Sequence, residues 1–264
     1  MKVLFFGDVF GKPGRTVVQR FLPQLMEEFS PDFCIANGEN IAQGRGVTEK
    51  TASVLFQAGI DALTSGNHLW DKLPSLEYLR KDVRILKPIN YPEKALGARY
   101  IVLTAPSGAT LAVVTIIGQA FMPPADSPIT ALDAILPEIN AQTQNLLVDF
   151  HAEATAEKRA IGKFFDGRIS AIVGTHTHIQ TADEEVLPGG TAYITDVGMT
   201  GPHDSIIGVK TSIIFEKMTT GMPMRYEVAE GGLQINAVVI EIDENNGTAY
   251  AIKRIKRDVT WESD

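Results

Sequence analysis

The chain has 264 residues, of which 44% are hydrophobic, and its formal net charge is −8. This length and hydrophobic content fit one α/β domain with a substantial core, and we expect a single domain over 1–264. The acidic balance argues against a surface for stable binding of a long nucleic acid, although bound metal ions can still create a local site for a small phosphate.

The single cysteine, Cys34, excludes an intrachain disulfide and fits a reducing compartment. It lies in the apolar run 33–36, which predicts a buried and inert thiol. The N-terminal apolar run 3–6 is too short for a signal peptide, and no apolar stretch approaches the roughly 20 residues that cross a bilayer. We therefore expect a cytoplasmic protein without membrane association.

Short apolar runs recur along the chain, and each ends in polar residues. Continuous runs rich in valine and isoleucine are typical of strands that are buried on both faces. The predicted strands cover residues 3–6, 33–36, 61–64, 111–117, 146–150 and 171–173.

Helical patterns separate several of these strands. Pro13 can occupy a first helical position, and the helix that it opens carries apolar residues as far as Leu25, although Pro23 argues against a regular helix there. Thr48 is placed to cap a second helix. Two more helices are predicted over 131–141 and 155–165. The alternation of strands and helices predicts a layered α/β sandwich.

The last third of the chain has a different pattern. The turn residues Asn245-Asn246-Gly247 separate two strand-like segments. Antiparallel strands are predicted over 223–229, 233–242 and 248–256. Two proline-containing segments, 87–98 and 118–130, are predicted to be surface loops.

Polar residues that follow the predicted strands include four of the chain's five histidines. In α/β sheets, ligands bind where strands end and loops begin. Taken singly, each residue has a structural explanation, such as a helix cap, a turn or a buried histidine. Taken together, their types are those that metal sites gather at successive strand ends. The set is Asp8, Glu39, Asn40, Asn67, His68, His151, His176 and His178.

The spacing and types of these residues add detail. His176 and His178 are two residues apart, so in an extended segment their side chains share a face. Asn67 and His68 are adjacent, so one of them can bind metal while the other faces substrate. Oxygen and imidazole ligands without thiolate favour Mn, Fe or Zn. Seven ligands exceed the needs of one tetrahedral ion, which favours two ions that share a carboxylate, here Glu39.

The order of these motifs resembles that of the calcineurin-like metallophosphoesterases. It consists of Gly7-Asp8, an acidic segment, Gly66-Asn67-His68, a lone histidine and His176-Thr177-His178. Two departures separate the chain from the broad pattern. Phe10 replaces the usual histidine two residues after the first aspartate, and Asn37-Gly38-Glu39-Asn40 replaces the usual bridging aspartate segment. Both departures match a narrower group, the YmdB-like phosphodiesterases of bacteria.

The resemblance to this narrower group covers essentially the full length of the chain. Its further matching segments are 6–9, 149–155, 174–178 and 194–202. The resemblance implies an α/β sandwich core, hydrolysis of 2′,3′-cyclic nucleotides and assembly as a homo-oligomer. It also implies two divalent or mixed-valence metal ions, Fe or Mn before Zn.

Carried over residue by residue, the resemblance divides the ligands between two metals. It implies that the first metal is surrounded by Asp8, Glu39, Asn40 and His178. It implies that the second is surrounded by Glu39, Asn67, His151 and His176. His68 is left as the proton donor. The expected reaction is in-line attack on phosphorus by a metal-bridging hydroxide, with protonation of the leaving ribose oxygen by His68 and release of a 3′-nucleotide.

Two other functions stay open at this point. The same metals would serve a phosphomonoesterase or a nuclease, because the motifs define the metals better than the substrate. The chain could also be a regulatory binding protein that retains its metals. A small nucleotide is the expected partner, and no stable complex with a long nucleic acid is expected.

Three residues are weaker candidates for substrate contacts. Trp70 could stack on a base, and Phe121 and Met122 could cover the site, but local packing explains each of them equally well. His203 is predicted to be a surface residue rather than a ligand.

Overall fold

Thirteen strands form two β-sheets in the computed structural model, which describes residues 1–260. The strands are β1 (Lys2–Phe6), β2 (Asp8–Val9), β3 (Phe33–Asn37), β4 (Ala62–Thr64), β5 (Tyr100–Thr104), β6 (Thr110–Ile117), β7 (Leu146–His151), β8 (Ala171–Thr175), β9 (Glu185–Val186), β10 (Ala192–Ile194), β11 (Met199–Pro202), β12 (Leu233–Ile242) and β13 (Ala249–Asp258). The helices are α1 (Gly11–Phe29), α2 (Glu49–Ala58), α3 (Leu76–Lys81), α4 (Pro128–Asn140), α5 (Thr155–Phe164) and α6 (Thr211–Thr220).

Each sheet contains a set of adjacent parallel strands. The first sheet has the order β2-β11-β12-β1-β3-β4, with β13 paired to β12, and β1, β3 and β4 are parallel. The second has the order β5-β6-β7-β8-β10-β9, and β6, β7, β8 and β10 are parallel. Because parallel strands end at one edge of a sheet, the polar residues after them gather at that edge.

Alternate residues of the central strands face different layers. In β1, Val3 and Phe5 pack between the two sheets, while Leu4 and Phe6 pack against α1 and α2. The opposite face of the second sheet packs against α4 and α5. Side chains alternate along each strand, so both faces of each sheet pack against a neighbouring layer. The two sheets pack against each other and helices cover their outer faces, which gives a four-layer sandwich. The predicted layered α/β sandwich is confirmed.

Most predicted elements are present, and some bounds differ. The helix α1 continues through Pro23, which lies on its exposed face. Burial of Val17, Val18, Leu22 and Leu25 outweighs the one backbone hydrogen bond that Pro23 removes. At the start of α2, the predicted Thr48 cap is present as a capping box with Thr51. The two C-terminal antiparallel strands and their turn are also present.

Three sequence predictions were wrong or incomplete. Residues 223–229 form no strand, since Val228 makes only an isolated bridge to Val209. The preceding helix α6 was missed, because its β-branched and aromatic residues resemble a strand sequence and none of them is fully buried. The segment 87–98 is not simply a surface loop, because Lys87 is buried and donates hydrogen bonds to three of its carbonyls.

The structure leaves the prediction of a single domain untested. The single domain over 1–264 includes residues 261–264, which lie outside the described residues. None of the helices in 1–260 combines the length and the apolar character needed to span a bilayer.

Cys34 is expected to resist thiol reagents in the native protein. Burial and the nearby Asp61 carboxylate raise the pKa of the Cys34 thiol to about 12, so the thiol stays protonated near neutral pH. We expect native labelling at pH 8 to be roughly 10³-fold slower than labelling of the unfolded chain. A colorimetric thiol assay with and without urea measures the difference. Rapid labelling of the folded protein would contradict the buried, protonated thiol.

Candidate metal centre

The predicted ligands converge where the strands of the two sheets end. Asp8 follows β1, Glu39 and Asn40 follow β3, and His151 is the last residue of β7. A hydrogen bond of 2.9 Å from Asn37 Nδ2 to Asp149 Oδ2 joins the ends of β3 and β7 across the two sheets. The candidate site therefore lies between the carboxyl ends of the parallel strands of both sheets.

One part of the cluster is centred on Asn40. Its Nδ2 lies 3.4 Å from Asp8 Oδ1, 3.3 Å from Glu39 Oε1 and 3.2 Å from His178 Nε2. His178 Nε2 is 3.8 Å from Asp8 Oδ1. All four residues are buried. This part contains the residues that the resemblance assigned to the first metal.

The other part is centred on His151. Its Nε2 lies 3.1 Å from Glu39 Oε1 and 3.0 Å from His176 Nδ1. The buried Asn67 Oδ1 has no hydrogen-bond partner among residues 1–260. A Cβ added at Gly66 would lie 2.1 Å from the His151 ring, so the chain before Asn67 runs directly against that ring. An unsatisfied buried amide oxygen, one residue from the backbone that contacts the His151 ring, is suited to binding a cation.

Hydrogen bonds outside the cluster determine the tautomer of His151. Its Nδ1 lies 2.9 Å from Thr175 Oγ1, which donates to Asp149 Oδ1 at 2.6 Å. Because that hydroxyl uses its proton on the carboxylate, it accepts from His151 Nδ1. The inner nitrogen, Nε2, is then left with a lone pair directed at the cluster.

The other two cluster histidines are arranged in the same way. His176 Nε2 lies 3.3 Å from Glu153 Oε2, and His178 Nδ1 lies 2.9 Å from the Ile207 carbonyl. A carbonyl only accepts, so His178 Nδ1 donates to Ile207 and His178 Nε2 presents its lone pair to Asn40 Nδ2 at 3.2 Å. The nearby Glu153 carboxylate favours a proton on His176 Nε2. Metal-binding histidines characteristically donate their other N–H to such acceptors. His151 Nε2 and His176 Nδ1 lie only 3.0 Å apart, so either a proton between the two nitrogens or a bound cation is needed to keep their lone pairs from repelling each other.

The electrostatics of the cluster also favour a bound cation. Burial disfavours the charged His151 ring, yet the adjacent Glu39 carboxylate raises the pKa of His151 to about 9. Burial and the neighbouring His151 lower the pKa of His176 to about 3. Burial raises the pKa of Asp8 above its usual range. In the absence of a metal ion, a proton on His151 supplies the positive charge beside the Glu39 carboxylate. The carboxylate, amide and imidazole donors fit Mn, Fe or Zn in that role.

His68 lies beside the cluster but outside it. Its backbone N–H donates to Glu39 Oε2 at 2.9 Å, and its ring Nδ1 lies 2.9 Å from Asp71 Oδ2. Residues 67–70 form a turn rather than an extended segment. The carboxylate of Asp71 orients the ring and leaves Nε2 as the nitrogen able to act on a substrate. Asp71 was not predicted as a site residue, although its position three residues after His68 is typical of a turn contact.

The His176-Thr177-His178 segment was expected to be extended, and it is not. His176 and His178 have φ values of 99° and 64°, in the left-handed region. The buried Asp196 holds this conformation, because its Oδ2 accepts from the Thr177 backbone at 3.1 Å and from the Thr177 hydroxyl at 2.8 Å. Lys158 Nζ donates to the same oxygen at 2.7 Å. The ion pair therefore positions two candidate ligands from outside the cluster.

Sequence analysis assigned no role to these supporting residues. Asp149 and Asp196 lie in the segments that carried the family resemblance, so their positions were marked without a function. Lys158 gave no such indication, because a lysine in a helix is usually exposed to solvent. Its burial depends on the long-range contact with Asp196.

Lys158→Met is expected to lower the free energy of unfolding by about 3–5 kcal/mol, because it leaves the buried Asp196 carboxylate without its counter-ion. Denaturant unfolding measures the change. Arg99→Met, which removes an exposed pair with Glu138 at 3.7 Å, is the matched control and should cost about 0–1 kcal/mol. Equal losses for the two variants would contradict the supporting role of Lys158.

The weaker substrate-contact candidates lie elsewhere. Trp70 Nε1 donates to the Leu96 carbonyl at 2.9 Å, and its ring packs edge-on against Tyr91, so local packing accounts for it. Phe121 is 92% exposed, so neither packing nor closure over the site is observed. His203 is not a surface residue, because it is half-buried and its Nε2 lies 2.8 Å from the Met199 carbonyl.

The cluster opens onto a large groove of about 2170 Å³. Its inner end is formed by cluster residues together with His68. Its walls come from the start of α1, from the loop 42–45 and from the segment 221–230. The candidate ligands are therefore accessible to a substrate from one side.

A four-layer sandwich with these donors at its strand ends defines a metallophosphoesterase-like fold. The chain belongs to the YmdB-like protein family, whose family model matches residues 4–255. The resemblance drawn from the motifs is confirmed.

Curated relatives match over nearly the whole chain. A 2′,3′-cyclic-nucleotide 2′-phosphodiesterase of Bacillus subtilis is 46% identical over 255 residues, which cover 97% of this chain and 96% of that protein. A putative phosphatase/phosphodiesterase of Mycoplasma genitalium is 34% identical and covers 97% of this chain and 92% of its own length.

Two solved structures share the fold. A hypothetical protein from Thermus thermophilus superposes with a TM-score of 0.91 at 38% identity, over 98% of this chain and 99% of that chain. A novel phosphatase from Mycoplasma pneumoniae also gives a TM-score of 0.91, at 32% identity, over 98% and 93% of the two chains.

Proposed function

We propose that the chain is a metal-dependent phosphodiesterase that hydrolyses 2′,3′-cyclic nucleotides to 3′-nucleotides. The observation that carries this proposal is the convergence of His151 and His176 on the buried carboxylate of Glu39, with His178 beside the neighbouring Asp8 and Asn40. The activity for which the 46% identical relative is named supports the choice of substrate.

Two metal ions fit the two parts of the cluster. We assign Asp8, Glu39, Asn40 and His178 to one ion, and Glu39, Asn67, His151 and His176 to the other. Glu39 is the shared ligand, because its Oε1 lies near both Asn40 and His151. Fe or Mn suits these donors, and Zn is also compatible. When bound, the ions would neutralise the phosphoryl oxygens and activate the attacking water.

His68 is proposed to protonate the leaving oxygen. One proton of the attacking water is released to solvent, and the water oxygen forms the new bond to phosphorus as the P–O2′ bond breaks. His68 gives its proton to O2′ and regains one from solvent. Asp71 holds Nδ1, so the transferred proton comes from Nε2. The product is a 3′-phosphate with a free 2′-hydroxyl.

The product of 2′,3′-cyclic AMP hydrolysis tests this function. Chromatography against the two adenosine monophosphates should identify the 3′ isomer, and a chelator should stop its formation. A parallel assay with a simple phosphomonoester tests the phosphatase named among the relatives. Hydrolysis of the monoester alone, or release of the 2′ isomer, would overturn the proposal. The cytoplasmic location and the homo-oligomeric state remain predictions.

A further inference from the structure

The groove beside the cluster is larger than one nucleotide requires. Its volume of about 2170 Å³ exceeds the roughly 300–1,000 Å³ of pockets that bury most of a drug-sized ligand. A cyclic mononucleotide at the cluster would occupy only its inner end. The remaining length therefore has room for further groups attached to the substrate.

The groove has an excess of positive charge, unlike the chain as a whole. Seven cationic and only four acidic side chains line the groove, whereas the whole chain carries −8. A positively lined cleft on an acidic protein concentrates anionic ligands there. The cationic side chains come from both walls, among them Arg15 on α1, Lys217 on α6 and Arg225 on the segment 221–230.

The arginines of the groove also differ from those elsewhere in their partners. Seven arginines outside the groove each lie within 3.7 Å of a carboxylate. The three in the groove, Arg15, Arg45 and Arg225, form no ion pair among residues 1–260. Arg15 is partly buried and donates only to the carbonyl of Ile41. Arg225 attracts the nearby Glu227 carboxylate, but at a longer range than a direct ion pair. Guanidinium groups without a direct ion pair are suited to phosphates, which they bind through several N–H donors.

Apolar and aromatic side chains lie among these cations. Met222 is 61% exposed and Tyr226 is 40% exposed on the segment that forms one wall. Lys217 Nζ lies 4.9 Å from the centre of the Tyr226 ring. Alternating cations and flat or flexible apolar groups are what single-stranded nucleic acids use, since phosphates take the cations and bases stack on the rings.

We propose that this groove binds the nucleotides on the 5′ side of the cyclic phosphate. The preferred substrate class is then a short single-stranded oligoribonucleotide that ends in a 2′,3′-cyclic phosphate. Such ends form when a ribose 2′-hydroxyl in RNA attacks the adjacent phosphodiester, so the cyclic group arises on a chain end. Hydrolysis adds one water across the P–O2′ bond and leaves a 3′-phosphate end. The inference rests on the proposed function of the same site.

Substrates of increasing length test the inference. The metal-loaded protein is assayed on 2′,3′-cyclic AMP and on adenylate dinucleotides and tetranucleotides that carry the same cyclic end. We expect kcat/KM to rise about tenfold or more from the mononucleotide to the tetranucleotide, equivalent to roughly 1.4 kcal/mol. The salt dependence should steepen by roughly 0.7 in the log–log slope for each additional phosphate that the groove neutralises.

Variants identify the groove as the cause. Arg225→Gln and Lys217→Gln should lower kcat/KM for the tetranucleotide more than for the mononucleotide, while Arg99→Gln, outside the groove, should change neither. Equal kcat/KM at all lengths, or equal losses on both substrates in Arg225→Gln, would overturn the inference and leave the proposed function intact. Failure to hydrolyse any cyclic end, long or short, would instead overturn the proposed function.

Discussion

Glu39→Gln is expected to lower turnover of 2′,3′-cyclic nucleotides on the order of 10³-fold or more. The substitution keeps the shape of the side chain but removes the charge that both parts of the cluster share. Glu39 Oε1 lies 3.1 Å from His151 Nε2, and Oε2 accepts from the His68 backbone at 2.9 Å. A neutral amide should weaken both ions and shift His68, and metal ions contribute several kcal/mol to such reactions.

The measurement combines steady-state kinetics with elemental analysis of the same preparation. Two variants calibrate the result. Glu153→Gln, which alters only the acceptor of His176 Nε2, should cost about 10–100-fold. Glu77→Gln, in an exposed pair with Arg80, should leave turnover unchanged. Near-normal turnover in folded, metal-loaded Glu39→Gln protein would refute the shared-ligand role.

His68→Ala is expected to retain metal but to lose about 10²–10⁴-fold in turnover of cyclic nucleotides. The ring of His68 is paired with Asp71 at 2.9 Å rather than with a cluster residue. Its removal should therefore leave the candidate ligands in place. The loss should shrink for a nitrophenyl phosphodiester, because a nitrophenolate leaves without needing a proton.

Both substrates and the metal content are measured on one preparation. Asp71→Asn serves as a graded control, since it keeps the ring but weakens its orientation, and its loss should be smaller than that of His68→Ala. The same rate loss on both substrates, or a fall in bound metal, would remove His68 from the proton-donor role and make it a support for the ligands.

Much of the fold was predictable because its central strands are buried on both faces. Runs such as 3–6 and 171–173 are continuously apolar, and the polar residues after them mark the sheet edge at which the cluster lies. The Thr48 cap was predictable for a local reason, since it depends on residues three positions apart. These features are encoded by neighbours in the sequence.

The features that could not be predicted depend on distant contacts. The left-handed conformations of His176 and His178 are held by Asp196 and Lys158, which come from other parts of the chain. The outer partners of the cluster histidines depend likewise on how β7, β8 and the loops meet. In α6, Ile213 and Ile214 are only partly buried and no residue is fully buried, so the apolar pattern could not be distinguished from that of a strand.

Metal stoichiometry tests the dinuclear centre most directly. Protein stripped with a chelator is titrated anaerobically with Mn²⁺ or Fe²⁺, and bound metal and hydrolysis of 2′,3′-cyclic AMP are followed together. We expect two equivalents per chain, with activity restored as the second binds, because the donors fall into two parts that share Glu39. Saturation at one equivalent, or full activity in the stripped protein, would contradict a dinuclear metal centre at these residues.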